Sequence, residues 1–131
     1  KNMLFPLMGL KDIHRDRLHF APCHQALDTA VSQGPADIAV DADHLEFYSS
    51  GLYSHANCTE NISHAVVLVG AGKLSADDAA RSANIFAATA GERYWLIRNS
   101  WGVYWGEGGY FHMPVKGNLC GLHTAVHNAV V

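Results

Sequence analysis

The chain has 131 residues, 49% of them hydrophobic and 16% charged, with a formal net charge of −3. That balance describes one globular domain able to bury a core, and it excludes a disordered segment. The slight acidity and the absence of a basic cluster argue against a nucleic-acid partner. No apolar run approaches the roughly 20 residues of a bilayer span, so no membrane role is expected.

The opening residues, Lys1-Asn2-Met3-Leu4-Phe5-Pro6, have neither an initiator Met nor the apolar stretch of a signal peptide, and they read as part of a processed or excised chain. Residues 1–22 keep no sustained period and are expected to form an irregular lead-in to the single domain 1–131. After Pro22, residues Ala26, Leu27, Ala30 and Val31 recur on one helical face, and Gly34-Pro35 ends the pattern. One short helix is therefore predicted near residues 23–33. Asp37 to Ala42 follows as a short strand, and Phe47, Tyr48, Leu52 and Tyr53 flank a Ser-Ser-Gly turn.

His64 to Gly70 is a nearly continuous aliphatic run that predicts a buried strand. Residues 73–91 change character, rich in Ala, Asp and Ser. Ser75 could cap a helix there, Asp78 stands at the capping-box position, and Gly91 could end it, so an inserted surface helix or loop is expected. Tyr94 to Arg98 and Gly109 to Met113 predict two aromatic-rich strands, and His123 to Val131 a last one.

Three cysteines, Cys23, Cys58 and Cys120, allow one bridge and one leftover thiol. The tripeptides Asn57-Cys58-Thr59 and Asn61-Ile62-Ser63 are compatible with glycosylation in a secretory setting, although a glycan on Asn61 would crowd Ile62 and His64. His123 and His127 stand four apart but fall in an expected strand, with no accompanying Cys-x-x-Cys or His-Glu-x-x-His. Neither a metal nor another cofactor is expected. The acidic pair Asp77-Asp78 fits the first turn of a helix.

One segment carries more chemical information than the rest: Asn99-Ser100-Trp101-Gly102, followed by Trp105-Gly106, with His64 upstream in Ile62-Ser63-His64-Ala65-Val66. A thiol attacks a peptide carbonyl as thiolate, so it needs an imidazole beside it to hold the proton. The imidazole must keep one nitrogen toward sulfur, which requires a partner for the other. A neutral Asn carbonyl supplies that partner without adding negative charge beside the thiolate. A tryptophan over the pair lowers the local dielectric and strengthens the bond. His64, Asn99 and Trp101 fit these roles if two strands bring them together.

In these motifs, taken in order, the chain resembles the papain-like cysteine peptidases, and within them the cathepsin L-like branch. The resemblance runs from about Gln25 to about Ala125. It includes Ala30-Val31-Ser32-Gln33-Gly34-Pro35, Phe47-Tyr48-x-x-Gly51-Leu52-Tyr53, Cys58, His64 to Gly70, Tyr94 to Gly102, Trp105-Gly106-Glu107-x-Gly109-Tyr110 and Leu119-Cys120-Gly121-Leu122. The resemblance implies an α+β fold, the β-rich, antiparallel, barrel-like right-hand half of such a peptidase. His64 would act as general base and acid and Asn99 would orient it. Trp101 would shield the pair, and Trp105 would line the leaving-group side. Cys58 and Cys120 match positions that form a disulfide in that family. Ala39, Ile62 and Ala125 match the walls of its main selectivity pocket; an uncharged Ala125 at the base suits Leu, Phe or Val rather than Arg. Ala39 and Ala125 could equally be small core residues.

The family's nucleophilic cysteine stands about 130–150 residues before its histidine. Cys23 lies only 41 positions before His64 and lacks the Gly-Ser-Cys-Trp surroundings. The resemblance therefore implies a C-terminal portion of a cysteine endopeptidase, inactive alone, whose partner is the N-terminal half carrying the nucleophile and the oxyanion-hole glutamine. It also implies peptide or protein substrates, protein inhibitors as further partners, synthesis as a zymogen, and a lysosomal or secreted location. The alternative is a non-catalytic binding protein of the same fold whose nucleophile has been replaced; a third reading is an isolated β module offering an antigen or inhibitor-binding surface. Departures from the pattern are Ala71 in place of an aromatic, His127-Asn128 in place of Tyr-Pro, and the long 73–91 segment, which lies between His64 and Asn99 in sequence and bears on the rim of the cleft.

Overall fold

The computed structural model describes residues 10–12, 23–53, 58–81 and 90–129. Among the described residues, two α-helices, α1 (Cys23–Gln33) and α2 (Ala76–Arg81), accompany six strands: β1 (Leu10–Asp12), β2 (Ala36–Val40), β3 (His64–Lys73), β4 (Arg93–Arg98), β5 (Tyr110–Pro114) and β6 (Val126–Ala129). They form one sheet in the order β1-β6-β2-β3-β4-β5. Every pairing is antiparallel. The architecture is α+β, a β-rich unit with little helix.

The core follows from strand alternation. Ile38 and Val40 of β2, Val66 and Leu68 of β3, Trp95 and Ile97 of β4, Phe111 and Met113 of β5 and Val126 of β6 are buried on one face. Each such side chain removed from water contributes about 1.5–3 kcal/mol. Helix α1 adds Leu27 and Ala30 to this core, two of the four positions its apolar period singles out, with Val31 packed against it. Its end is tied down from β6: the buried Asn128 donates Nδ2 to the Ala30 carbonyl at 3.0 Å, satisfying an acceptor the helix terminus leaves open. The residue that departs from the expected Tyr-Pro thus holds helix to sheet.

Four boundaries differ from the sequence reading, each for a long-range reason. Leu10–Asp12, inside the segment expected to be irregular, pairs with His127–Ala129 as the edge strand β1; the remainder of residues 1–22 lies outside the described residues. Strand β2 stops at Val40 because the Asp41 carboxylate turns back to accept the Asp43 amide at 3.1 Å. Strand β3 runs on to Lys73, past a bulge between Leu68 and Gly70, because β4 pairs with it as far as Lys73–Arg93. The last strand begins only at Val126, since residues 118–124 close into turns through Asn118 Oδ1 to the His123 amide and Gly121 O to the Thr124 amide. His123 therefore lies in a turn and shares no strand with His127.

In the 73–91 segment, α2 is capped as its sequence suggests. Ser75 Oγ accepts the Asp78 amide at 3.1 Å and donates to the Asp78 carboxylate at 2.6 Å. Residues 82–89 lie outside the described residues.

Candidate active site

His64 is the first residue of β3, and three contacts fix where that strand begins. Val40 is its cross-strand partner. The Ser63 amide donates to the Val40 carbonyl at 3.0 Å, and Ser63 Oγ accepts the Ala42 amide at 3.2 Å. Behind this start lies a polar knot: Cys58 and Cys120 are joined as a disulfide, and the Asp41 amide donates to the Cys120 carbonyl at 2.8 Å.

Asn99 follows directly on β4, the neighbour of β3, so the two residues 35 positions apart meet at one end of the strand pair. Asn99 Oδ1 lies 2.8 Å from His64 Nε2. The same oxygen accepts the Ser100 amide at 2.8 Å. A backbone N–H cannot bond to the amide nitrogen, so the Ser100 contact settles which end of the Asn99 side chain faces the histidine. An acceptor facing Nε2 requires Nε2 to carry the proton. In the neutral ring Nδ1 is then the basic nitrogen, left to face away from Asn99.

The tryptophans close one side. Trp101 lies over His64 with ring centroids 5.0 Å apart and planes 31° from parallel. Trp105 meets Trp101 edge-on at 5.2 Å. Asn99 itself is buried, and its Nδ2 has no hydrogen-bond partner among the described residues. Backbone geometry at the turn depends on glycine: Gly102 has φ +92° where a side chain would be strained, and the Asn99 amide is held by the Gly109 carbonyl at 2.9 Å.

Two of the residues expected to wall a pocket, Ala39 and Ala125, fall on one face of the sheet. Ala39 sits directly opposite Ala65 across β2 and β3. Continuing the Ile38–Val126 pairing by one residue brings Ala125 beside Ala39. Ile62 is exposed beside Gly121, where an added Cβ would come 2.8 Å from its Cγ2. Ala65 was not singled out from the sequence, although alternation from buried Val66 places it on the outward face. Asp37 and His127 are direct cross-strand partners on that face, one row further in, which gives the inner end of the alanine row a polar border.

Beside the site runs a groove of about 700 Å³, lined by Ala65, Val67 and Val69 of β3 and by Arg98, Ser100 and Val103. This outward face of the sheet is apolar at its centre and opens next to Asn99. Cys23 opens α1.

Comparison with known proteins agrees with this architecture. The family model described as papain family cysteine protease matches residues 10–130. Procathepsin L of Mus musculus is 41% identical over 112 residues, covering 82% of this chain and 30% of that protein. Cathepsin S of Bos taurus is 37% identical over 102 residues, covering 75% of this chain and 26% of that protein. The solved structure of digestive procathepsin L 3 from the larval midgut of Tenebrio molitor superposes with a TM-score of 0.71 at 33% identity, covering 94% of this chain and 35% of that one. The chain belongs to the papain family of cysteine proteases, on its cathepsin L-like side. It spans under a third of the length of the curated relatives it matches.

Proposed function

We propose that the chain supplies the histidine side of a thiol-peptidase active centre and that the nucleophilic cysteine is carried on an N-terminal half outside these residues. The observation that carries this reading is the shared oxygen of Asn99: by accepting both the Ser100 amide and His64 Nε2–H, it leaves Nδ1 as the free base.

In this reading the neutral His64 takes the thiol proton on Nδ1, and the imidazolium is held by Nε2–H to Asn99. The thiolate adds to the scissile carbonyl, and His64 returns the Nδ1 proton to the departing amine. The resulting acyl-enzyme is hydrolysed by a water that His64 deprotonates in turn. Trp101 keeps competing water off the His64–Asn99 bond, and a low local dielectric strengthens it. Trp105 lines the leaving-group side. The outward groove of Ala65, Val67 and Val69, an apolar face beside the site, is where the nucleophile-bearing half packs. Ala39, Ala65, Ile62 and Ala125 form the selectivity pocket, whose small uncharged walls suit Leu, Phe or Val in peptide and protein substrates.

A lysosomal or secreted setting accords with the Cys58–Cys120 disulfide, since disulfides persist in oxidising compartments. Among the described residues no helix is long and apolar enough to cross a membrane.

The test is labelling of the protein, assembled with its N-terminal half, by an epoxide or vinyl-sulfone thiol probe, with the modified residue mapped by mass spectrometry. Label on a cysteine outside this chain supports the peptidase. Label on Cys23 overturns the assignment, and no label, with Ser or Gly at the nucleophile position, favours the non-catalytic binding protein.

A further inference from the structure

We infer that Glu107 is a positioning residue for the leaving-group side of the cleft, acting through the 48–53 turn on Trp105; the inference rests on the reading that Trp105 lines that side.

Both oxygens of the Glu107 carboxylate are engaged. Oε1 accepts the Gly51 amide at 2.7 Å across 56 residues of sequence, and Oε2 lies 3.2 Å from His112 Nδ1. The His112 ring is itself fixed edge-on against Tyr94 at 4.7 Å. The Glu107 backbone cannot drift, because its amide and carbonyl pair with the Tyr110 carbonyl and amide at 3.0 and 3.2 Å. A carboxylate held this firmly acts as a clasp between the tryptophan turn and the 48–53 turn.

The clasp bears on Trp105 through Tyr48. The Tyr48 hydroxyl donates to the Gly51 carbonyl at 2.6 Å, so the Gly51 residue is gripped at its amide by Glu107 and at its carbonyl by Tyr48. The Tyr48 ring packs on Trp105 with centroids 5.6 Å apart. It also presses on Gly106, where an added Cβ would come 3.1 Å from the ring and 2.7 Å from the Tyr110 carbonyl oxygen. Contacts therefore run unbroken from His112 through Glu107, Gly51, Tyr48 and Trp105 to Trp101 over His64. A charge-assisted bond to a backbone amide is among the stronger anchors available at a half-exposed position. Removing it frees the turn that backs Trp105 while leaving the His64–Asn99 bond in place.

The experiment compares Glu107→Ala and Glu107→Gln in the enzyme assembled with its nucleophile-bearing half. Two substrates are used, one ending in a small fluorogenic amide and one with several residues beyond the scissile bond. Glu107→Ala is expected to lower the kcat/KM ratio of extended to short substrate about tenfold, chiefly through KM. Glu107→Gln, whose side-chain oxygen still accepts the Gly51 amide, restores most of that ratio. Acrylamide quenching of tryptophan emission rises in Glu107→Ala and stays near the parent level in Glu107→Gln. Equal losses on both substrates, or quenching unchanged in Glu107→Ala, would overturn the inference. If the parent cleaves neither substrate, the peptidase reading fails, and the quenching comparison still decides whether Glu107 holds the tryptophan turn. Should Glu107→Ala not fold, Glu107→Asp, too short to reach both partners, takes its place in each measurement.

Discussion

Asp41 and Thr59 are bound twice: the buried carboxylate accepts the Thr59 amide at 2.6 Å and its hydroxyl at 2.8 Å. This pair fastens the residue after Cys58 to the end of β2, one turn ahead of His64. The Thr59 amide, as the leading cause, holds the Asp41 carboxyl below its ordinary value of 3.8, against the opposing effect of burial.

Replacing Asp41 with Asn is expected to destabilise the fold by about 2 kcal/mol at neutral pH, since the amide and hydroxyl of Thr59 lose a charged acceptor. The pH sign follows from linkage. A carboxyl whose pKa falls on folding contributes fully above 3.8, and its contribution is lost as pH drops through the lower folded value. Denaturation curves between neutral and acid pH should therefore converge for parent and Asp41→Asn. Curves that stay parallel to the lowest pH would contradict this account.

Reduction of the Cys58–Cys120 bridge, or Cys120→Ser, opens a loop spanning 62 residues. Chain entropy puts the cost at about 4 kcal/mol. Urea midpoints with and without reductant measure it, and a reductant-insensitive midpoint would show that the bridge contributes no stability.

The Tyr53 hydroxyl is buried and has no hydrogen-bond partner among the described residues. Desolvation by burial, aided by the Asp41, Glu46 and Asp43 charges, pushes its pKa up to about 12. A raised pKa gives a contribution that is full below the ordinary value of 10.0 and lost as pH climbs through the folded value, so stability should decline between pH 10 and 12. Tyr53→Phe should lessen the alkaline decline, to which the buried Tyr48 hydroxyl with its raised pKa also contributes, and raise stability by about 1 kcal/mol, because an unsatisfied buried group is deleted. Thermal denaturation of the two proteins across this range provides the check.

Asn99→Ala is expected to lower kcat/KM of the assembled enzyme by about 10- to 100-fold, with most of the loss in kcat. Asn99→Asp, which still accepts from both Ser100 and His64, should retain more activity than Asn99→Ala. Steady-state kinetics on one peptide substrate distinguish them, and an Asn99→Ala enzyme of full activity would sink the proposed role.

Much of this arrangement was legible because its signals are local. The apolar face of α1, the aliphatic run after His64 and the aromatic strand before Asn99 each declare themselves within a few residues. The juxtaposition of His64 with Asn99 needed only that two adjacent strands run antiparallel. What escaped the sequence depends on partners far apart. Strand β1 exists because β6 offers it an edge, and β3 lengthens because β4 pairs with it beyond Gly70. Glu107 meets Gly51 only through the fold, and no period in either segment anticipates the bond. Asp41 falls inside the strand expected over Asp37–Ala42, and only the fold brings Thr59 to its carboxylate.

Strand β3 carries His64 at its beginning and Lys73 at its end, and β4 returns from Arg93 to Arg98, the residue before Asn99. Ten residues of extended chain at about 3.3 Å each separate the two ends by about 30 Å. Lys73 and Arg93, paired across β3 and β4, therefore stand at the end of the ribbon opposite the His64–Asn99 pair. A fluorophore attached at Lys73 would report on the protein from a position remote from the His64–Asn99 pair.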